Sequence, residues 1–559
     1  MKDRRKQSFL SWGLICLWCT IVILCFVGFT FSTLRLIFTE GFNPRIMSTF
    51  NIPIIEVVSD IPSTPVITIQ QTVIFPDEIL FFLKYPPSSS LFTKDAISCI
   101  YLSPNSSQAQ LEHSPSSVDF DYDNNHQIVR CPLPPRGTIS SLAVKSDVYL
   151  SPGPTYKWDS LAYEAVIDRD NTTVVFVKGF NLRSGKAADP SKFKCIYGQD
   201  LTKSNFVLSA DVVSFAQEIV RCKTPLSILN SPQRFSSSND NPIKVSVRFV
   251  GKSAIDSVAR VKSNEPNPNP RPVHGNKQHE MCVCTMLRNQ ARFLREWVTY
   301  HSRIGVDRYF IYDNNSDDDI ERVVDSLVDD NYNITRHLWP WIKTQEAGFA
   351  HCALKARDSC DWVGFIDIDE FLHMPSNLSL HDVVKSQTPS SDVAELRISC
   401  HNFGPSGLKK IPTRGVMVGY TCRMVAPERH KSIVRPEALD STLINVVHHF
   451  DLRPGFRHVN VNRGLLVINH YKYQVWEVFK EKFRRRVSAY VFDWQQERNV
   501  GSKDRAPGLG TKAIEPSDWS TRYCEVKDTR LRKWILEIFT DPESGLLPWE
   551  DRSDRMKNT

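Results

Sequence analysis

The sequence predicts an α/β protein: a domain on a parallel sheet in its C-terminal half, preceded by β-sandwich-like units and an N-terminal transmembrane helix. Three observations carry this. From Glu280 onward, apolar strands alternate with amphipathic helices, the pattern of βαβ units. Before it, a Cys-Ile-Tyr…Ile-Val-Arg-Cys unit occurs twice among β-rich segments. At the start, Lys2-Asp3-Arg4-Arg5-Lys6 precedes a stretch without charge from Gln7 to Leu34.

That uncharged stretch is almost wholly apolar from Gly13 to Phe31, long enough to span a bilayer. Its basic flank places residues 1–6 in the cytosol and makes 7–34 an uncleaved signal anchor. A cleaved signal peptide is the competing reading, but the apolar run exceeds a normal h-region and no small-residue cleavage site is evident. Residues 35–71 are Pro-dotted and read as a stem. Of 14 cysteines, Cys16, Cys19 and Cys25 lie in the anchor, and the other eleven suit an oxidising, lumenal compartment. Sequons at Asn105, Asn171, Asn314, Asn333 and Asn377 are compatible with that compartment, Asn314 least so because it falls in a candidate active-site loop.

The first β-rich unit, 72–150, contains Cys99-Ile100-Tyr101 and Ile128-Val129-Arg130-Cys131; the second, 151–262, contains Cys195-Ile196-Tyr197 and Ile219-Val220-Arg221-Cys222. Each is expected to be stapled by one disulfide, Cys99–Cys131 and Cys195–Cys222, with free core thiols as the alternative. Residues 263–279, centred on Asn264-Glu265-Pro266-Asn267-Pro268-Asn269-Pro270, read as an extended linker. The α/β domain follows over 280–545, with a tail at 546–559. A net charge of +7 over 559 residues is too mild for a nucleic-acid arm; Arg484-Arg485-Arg486 reads as a solvated helix face or as contacts for an anionic substrate.

Within the α/β domain the first strand, Glu280 to Met286, ends at Arg288-Asn289, and a helix carries Phe293, Leu294, Trp297, Val298 and His301 on one face. The second strand, Arg308 to Tyr312, ends at Asp313; a helix with Ile320, Val323, Val324 and Leu327 follows; a third strand leads to Leu338-Trp339-Pro340-Trp341. A helix near 345–358 precedes the strand Trp362-Val363-Gly364-Phe365-Ile366, which stops abruptly at Asp367-Ile368-Asp369-Glu370. Ligands of open α/β sheets bind at the carboxyl ends of strands. Two carboxylates there are hard oxygen donors for Mn²⁺ or Mg²⁺, whose charge suits a departing diphosphate such as that of a sugar nucleotide. The plain alternative is a solvated turn closing a core strand. Asp313 is a candidate for a nucleotide's base or ribose, and Arg288 with Asn289 for its phosphates, although Asp and Asn also favour turns and helix caps. His470, ending the apolar run Val467-Ile468-Asn469, would complete a metal sphere as a neutral imidazole. A structural histidine is the alternative.

Several motifs, in order, resemble glycosyltransferase family 92: Met281-Cys282-Val283-Cys284-Thr285-Met286-Leu287-Arg288-Asn289, Glu296-Trp297-Val298-Thr299-Tyr300-His301, Tyr312-Asp313-Asn314-Asn315-Ser316, Phe365-Ile366-Asp367-Ile368-Asp369-Glu370-Phe371, Phe403-Gly404-Pro405-Ser406-Gly407, Lys431-Ser432-Ile433 and His470-Tyr471. The resemblance covers about Met281 to Phe539 and looks like the plant side of the family. It implies a Rossmann-like GT-A fold, an inverting mechanism and a nucleotide-sugar donor, with Golgi membrane residence as a single-pass type II protein. Plant members of known activity extend β-1,4-galactan from UDP-galactose, so the resemblance implies a hexose donor, a cell-wall glycan acceptor and no nucleic-acid partner. On it, Asp367, Asp369 and His470 hold Mn²⁺ on the diphosphate, and Arg288 and Asp313 contact the nucleotide. Glu370 supports the metal site, and Lys431 and Arg435 stabilise the departing diphosphate. The general base stays unassigned, with Glu395 and Glu428 as further carboxylates. A homodimer is left open, as is glycan binding by the β units. A catalytically inactive lumenal glycan-binding protein is the main alternative function; a metal-dependent phosphohydrolase is weaker, because only one candidate metal centre is visible.

Overall fold

The computed structural model describes residues 67–85, 90–103, 109–144, 148–180, 187–201, 207–230, 243–263, 277–376, 378–446, 448–490 and 514–550. The expected anchor at 7–34 and the sequons at Asn105 and Asn377 lie outside them, as do the side chains of Arg484-Arg485-Arg486. No helix among the described residues is long and apolar enough to cross a membrane.

The α/β domain is organised by one mixed sheet. Its elements are β1 (His279–Leu287), α1 (Ala291–Ile304), β2 (Arg308–Asp313), α2 (Ile320–Asp329), β3 (Ile334–Leu338), α3 (Gln345–Ala356), β4 (Cys360–Phe365), β5 (Glu370–His373), α4 (Leu380–Gln387), β6 (Val393–Asn402), β7 (His430–Val434), β8 (Arg457–Asn460), β9 (Val467–His470), α5 (Trp476–Tyr490) and α6 (Arg530–Ile538). The strand order is β3-β2-β1-β4-β7-β6-β9-β5, with β8 beside β6. The first four strands are parallel; β7 runs antiparallel to both β4 and β6. The chain winds outward from β1 to β3, then crosses back to place β4 on the other side of β1. The order therefore reverses between β1 and β4, where open sheets bind ligands at their carboxyl ends.

Alternation along β1 divides the core. Met281 and Val283 face a cluster built with Phe293, Leu294 and Trp297 of α1. Cys282 and Cys284 face the other cluster, which holds Phe349 and Ala353 of α3. Both cysteines are bridged on that side, Cys282–Cys360 to the start of β4 and Cys284–Cys352 to α3. A further bridge joins Cys422 to Cys524, and Cys400 is the free cysteine among the described residues.

The first β-rich unit consists of two sheets and the second of one eight-stranded sheet, each with the expected staple. Cys99–Cys131 joins the first unit's four-stranded and five-stranded sheets. Cys195–Cys222 closes the second, where strand Leu208–Ala216 pairs with both bridged strands. The boundary expected at 150/151 moves, because Thr155–Lys157 still pairs in parallel with the first unit's opening strand.

The expected linker at 263–279 lies outside the described residues from 264 to 276, and the β units themselves pack on the α/β domain. Phe82 and Trp158 of the first unit and Tyr163 and Phe176 of the second share one apolar cluster with Trp339 and Trp341 of the α/β domain. Trp341 stacks on Trp158 at 5.6 Å and on Phe82 at 6.0 Å. Burying such aromatic area is the dominant favourable term in a contact of this kind. The Trp339-Pro340-Trp341 run after β3 is thus an anchor for the β units.

The repeated arginine does the same on both copies. Arg130 is 3 % exposed, pairs with Glu78 at 2.8 Å and reaches Asp317 at 2.9 Å and the Asn315 carbonyl at 3.3 Å, beyond the tip of β2. Arg221 pairs with Asp168 at 2.8 Å and donates to the Ser441 carbonyl at 2.9 Å, while Asp168 also receives Arg357. The Ile-Val-Arg-Cys repeat is a docking device as well as a disulfide frame.

Candidate active site

β4 stops at Phe365, and the acidic run then makes a turn instead of continuing the strand. The Glu370 N–H donates to the Asp367 carbonyl at 3.0 Å, and the Asp367 N–H donates to Glu370 Oε2 at 2.9 Å. Glu370 opens β5, whose antiparallel pairing sets it opposite His470. Asp367, Asp369 and Glu370 therefore converge because a turn, and not a strand, joins them, and His470 arrives from β9.

Helix α1 fixes β5 in place. Trp297 Nε1 donates to the Glu370 carbonyl at 2.9 Å, Tyr300 donates to the Leu372 carbonyl, and His301 Nε2 accepts from the Leu372 N–H at 3.3 Å. The Glu-Trp-Val-Thr-Tyr-His motif thus acts through polar edges that a hydrophobic-face reading does not reveal.

Two lysines enter the cluster. Lys431 of β7 reaches Asp367 Oδ2 at 2.8 Å and Glu370 Oε2 at 3.0 Å, and donates to His448 Nε2 at 2.6 Å. Lys482 of α5 binds Asp369, which also meets His470 Nε2 at 3.3 Å. Burial favours the neutral form of Asp367, but Lys431 and then His448 reverse this and hold its carboxyl well below the usual range. Burial is likewise overcome at Asp369 by Lys482 and His470. Glu370, fully enclosed, is pushed up to about 7 by burial, with Lys431 opposing and the two aspartates adding to the rise. Burial brings His470 down to about 4 and, with Lys431 assisting, His448 to about 3, so both imidazoles are neutral near pH 7.

Ionised aspartates and a neutral imidazole are the right chemical species for Mn²⁺ or Mg²⁺, and the buried Glu370 Oε1 and His448 Nδ1 lack hydrogen-bond partners. The arrangement corrects the simple three-ligand expectation, however. No group of three His, Cys, Asp or Glu side chains among the described residues is assembled to hold a metal ion. Each aspartate is instead engaged by an ammonium. The donor chemistry fits a divalent cation once those ammonium groups are displaced. His448 and Lys482 were not among the predicted site residues. Lys482 lies in the ordinary charged run Lys480-Glu481-Lys482, and His448 comes to Lys431 through a backbone φ of 78°.

Residues 277–500 match glycosyltransferase family 92. A glycosyltransferase family 92 protein of Ricinus communis is 60% identical over 98% of this chain and 100% of its own length. The chain belongs to glycosyltransferase family 92. An Arabidopsis thaliana member is 42% identical over 98% of this chain and 97% of its own. Among solved structures, a mannosyltransferase from Pyrobaculum calidifontis in complex with GDP-Man and Mn²⁺ overlaps 40% of this chain and 65% of that one, at 12% identity and a TM-score of 0.26. Membership makes this chain a glycosyltransferase.

In this family 92 chain the tips of β1 and β2 form one hydrogen-bonded corner. Asn289 (φ 52°) donates its N–H to Ser316 Oγ at 3.0 Å and accepts the Asp317 N–H at 2.7 Å. Arg288 sits 3.6 Å from Asp317, one-third exposed. Asp313 is 1 % exposed; it accepts the Ser316 N–H at 2.9 Å and pairs with Arg336 at 2.7 Å. Its carboxylate therefore shapes the loop from beneath. Arg336 also meets Asp119 of the first β unit at 3.1 Å, a second brace on the same corner. Asn314 donates its amide to the Trp339 and Trp341 carbonyls at 2.7 and 3.1 Å, which leaves that sequon's nitrogen engaged.

The remaining candidates separate. Arg435 stacks over Trp362 at 4.9 Å, at the opposite end of β4 from Asp367, because β7 runs antiparallel to it; it is no part of the cluster. Glu395 is buried with Ser432, His449 and Arg397. Glu428 accepts from Asn402 at 2.6 Å.

Glu296 of the same α1 motif is buried and accepts the Val416 and Met417 N–H groups at 2.8 and 2.9 Å. Burial lifts its pKa from 4.5 to about 7, against those two bonds. The folded state then binds this proton more tightly than the unfolded state does. Its contribution to stability is full below pH 4.5 and is lost as pH rises through about 7. Urea unfolding between those values should show stability falling with pH, by up to about 3 kcal/mol, and Glu296→Gln should flatten that slope. An unchanged slope in the variant would assign the dependence elsewhere.

Proposed function

We propose that this chain is an inverting, GT-A-type hexosyltransferase that moves galactose from UDP-galactose onto a cell-wall glycan such as β-1,4-galactan. It would act in the Golgi lumen, held by a type II anchor at 7–34. The observation that carries the reading is the convergence of Asp367, Asp369, Glu370, Lys431, His448 and His470 at the carboxyl end of β4, beside the reversal in strand order. The five disulfides among the described residues support an oxidising compartment.

In this reading Asp367, Asp369 and His470 hold a divalent cation, which supplies positive charge for the leaving diphosphate. Lys431 anchors Asp367 and Glu370 and offers its ammonium to the same oxygens. Arg288 and the Asn289 turn flank the donor phosphates, and Asp313 orders the loop that meets the nucleotide. A second reading follows from the lysines: Lys431 and Lys482 themselves carry the diphosphate charge, and transfer needs no metal.

A donor screen of the full chain separates these. UDP- and GDP-sugars are supplied with Mn²⁺ or with a chelator, with and without β-1,4-galactan oligosaccharide, and nucleoside diphosphate release is followed. Acceptor-stimulated, Mn²⁺-dependent turnover of UDP-galactose is expected. Turnover indifferent to chelator selects the lysine reading, and use of a different donor alone overturns the galactosyl assignment.

A further inference from the structure

Beside His470 stands a carboxylate that the acidic cluster does not use. The register of β5, β9 and β6 sets Glu370, His470 and Asn402 in one row. Residues paired in register share a face of the sheet. Asn402 is 2 % exposed and donates Nδ2 to Glu428 Oε2 at 2.6 Å. Lys472, two residues after His470, donates to the same oxygen at 3.3 Å. No donor among the described residues meets Glu428 Oε1, and the side chain is 41 % exposed. Asn402 lies one strand spacing, about 4.8 Å, from His470. Glu428 therefore borders the candidate cation ligands without bonding to them.

A bulge aims Glu428 at this face. Lys431 points to Asp367, so plain alternation along the strand would turn Glu428, three residues earlier, to the opposite side. Instead the Glu428 N–H donates to the Cys400 carbonyl at 3.0 Å, and the Cys400 N–H donates to the Arg429 carbonyl at 3.3 Å. Two residues thus oppose one, and Arg429 takes a left-handed φ of 64°. That conformation is costly for a residue with a Cβ and persists where the surroundings impose it, often beside active sites. The Phe403-Gly404-Pro405-Ser406-Gly407 motif closes the other side. The Phe403 N–H donates to the His470 carbonyl at 2.8 Å, and the Tyr473 N–H to the Phe403 carbonyl at 3.1 Å. A Cβ on Gly404 would lie 2.5 Å from the Arg522 carbonyl oxygen and 2.8 Å from that of Tyr523, so glycine lets this segment approach. Tyr523 then stacks on Tyr473 at 3.6 Å, and the Lys472 ammonium lies 5.0 Å from the Tyr473 ring. Both donors that hold Glu428 are in this way fixed to the sheet.

Neighbouring carboxylates are committed elsewhere. Glu370 is fully enclosed and bonded to Lys431 and the Asp367 N–H. Glu395 is buried on the other face of β6 with Arg397, Ser432 and His449. Asp528 is fastened by Arg423 and Arg530 at 2.8 and 2.6 Å. We propose that Glu428 is the general base of sugar transfer, an assignment that rests on the inverting transferase reading. The acceptor oxygen forms its bond to the anomeric carbon as the bond from that carbon to the diphosphate breaks. The electron pair of the broken bond leaves with the diphosphate. The hydroxyl proton passes to Glu428 Oε1 and then to water. Asn402 and Lys472 occupy Oε2 and so leave Oε1 for the acceptor.

The test compares the full chain in detergent with its Glu428→Gln and Glu428→Ala variants. Nucleoside diphosphate release is followed with β-1,4-galactan oligosaccharide and the donor that the wild type turns over, UDP-galactose being expected. Glu428→Gln should lower kcat about a hundredfold or more, the usual worth of a placed general base. The Kd for UDP, the KM for the acceptor and the melting temperature should stay unchanged. Formate, a small carboxylate, should restore part of the rate in Glu428→Ala, where the side chain has left room, and not in Glu428→Gln. A merely structural role gives no such rescue. Wild-type turnover by Glu428→Gln, UDP binding weakened in step with the rate, or a folded Glu428→Ala indifferent to formate would each overturn the assignment. A wild-type chain that turns over no donor would defeat the transferase reading and the base with it. An active wild type beside an equally active Glu428→Gln would defeat the base alone.

Discussion

Asp369→Asn is expected to lower sugar transfer by about a thousandfold, the upper range for removing one fixed electrostatic group from an active site. Asp369 is where β5, β9 and α5 meet: His470 Nε2 lies 3.3 Å away, and Lys482 binds the same oxygen. Neutralising it removes the charge that would hold a cation and the one that positions the lysine, so the loss is expected under either reading of the diphosphate site. The fold should survive. Asparagine keeps the shape, and Lys482, with 19 % of its side chain exposed, can turn to water. Activity is read as UDP release with acceptor, and folding by circular dichroism and a melt. Transfer at wild-type rate from this variant would remove Asp369 from the reaction.

Arg130→Ala should have the largest effect on stability, about 3–5 kcal/mol, the usual result of leaving a buried charge without its partner. Glu78 is 8 % exposed and would be stranded. The same change frees Asp317 and the Asn315 carbonyl, which belong to the corner carrying Arg288 and Asn289. The KM for the donor should therefore rise as stability falls. Replacing both charges, Arg130→Met with Glu78→Leu, should restore much of the stability and not the KM. Recovery of both together would mean that the β unit supports the domain only by general packing. Urea unfolding and donor kinetics on the two variants decide this.

The division between sequence and tertiary structure is visible residue by residue. The strand-helix alternation after Glu280, the apolar run halted at Asp367, and the paired Cys…Cys units were all legible, because periodicity and abrupt polarity changes are local properties of the chain. The disulfides Cys99–Cys131 and Cys195–Cys222 followed from the repeat. The motif residues that grip β5 looked like one apolar helix face, since the partner carbonyls lie more than 70 residues away. The pairings of Cys282 and Cys284 were equally hidden, resting on sequence separations of 78 and 68.

By itself, then, the sequence determined which segments are strands and helices, that acidic residues end β4, and which family the chain resembles. Only the tertiary structure decided that Lys431 and Lys482 answer those acids, that Asp313 turns inward to Arg336, and that the β units share a core with the α/β domain through Trp158 and Trp341. The reason is physical. Local pattern fixes which face of an element is apolar, whereas a buried charge takes whichever opposite charge the packing of distant strands brings within about 3–4 Å, and no local pattern records that choice.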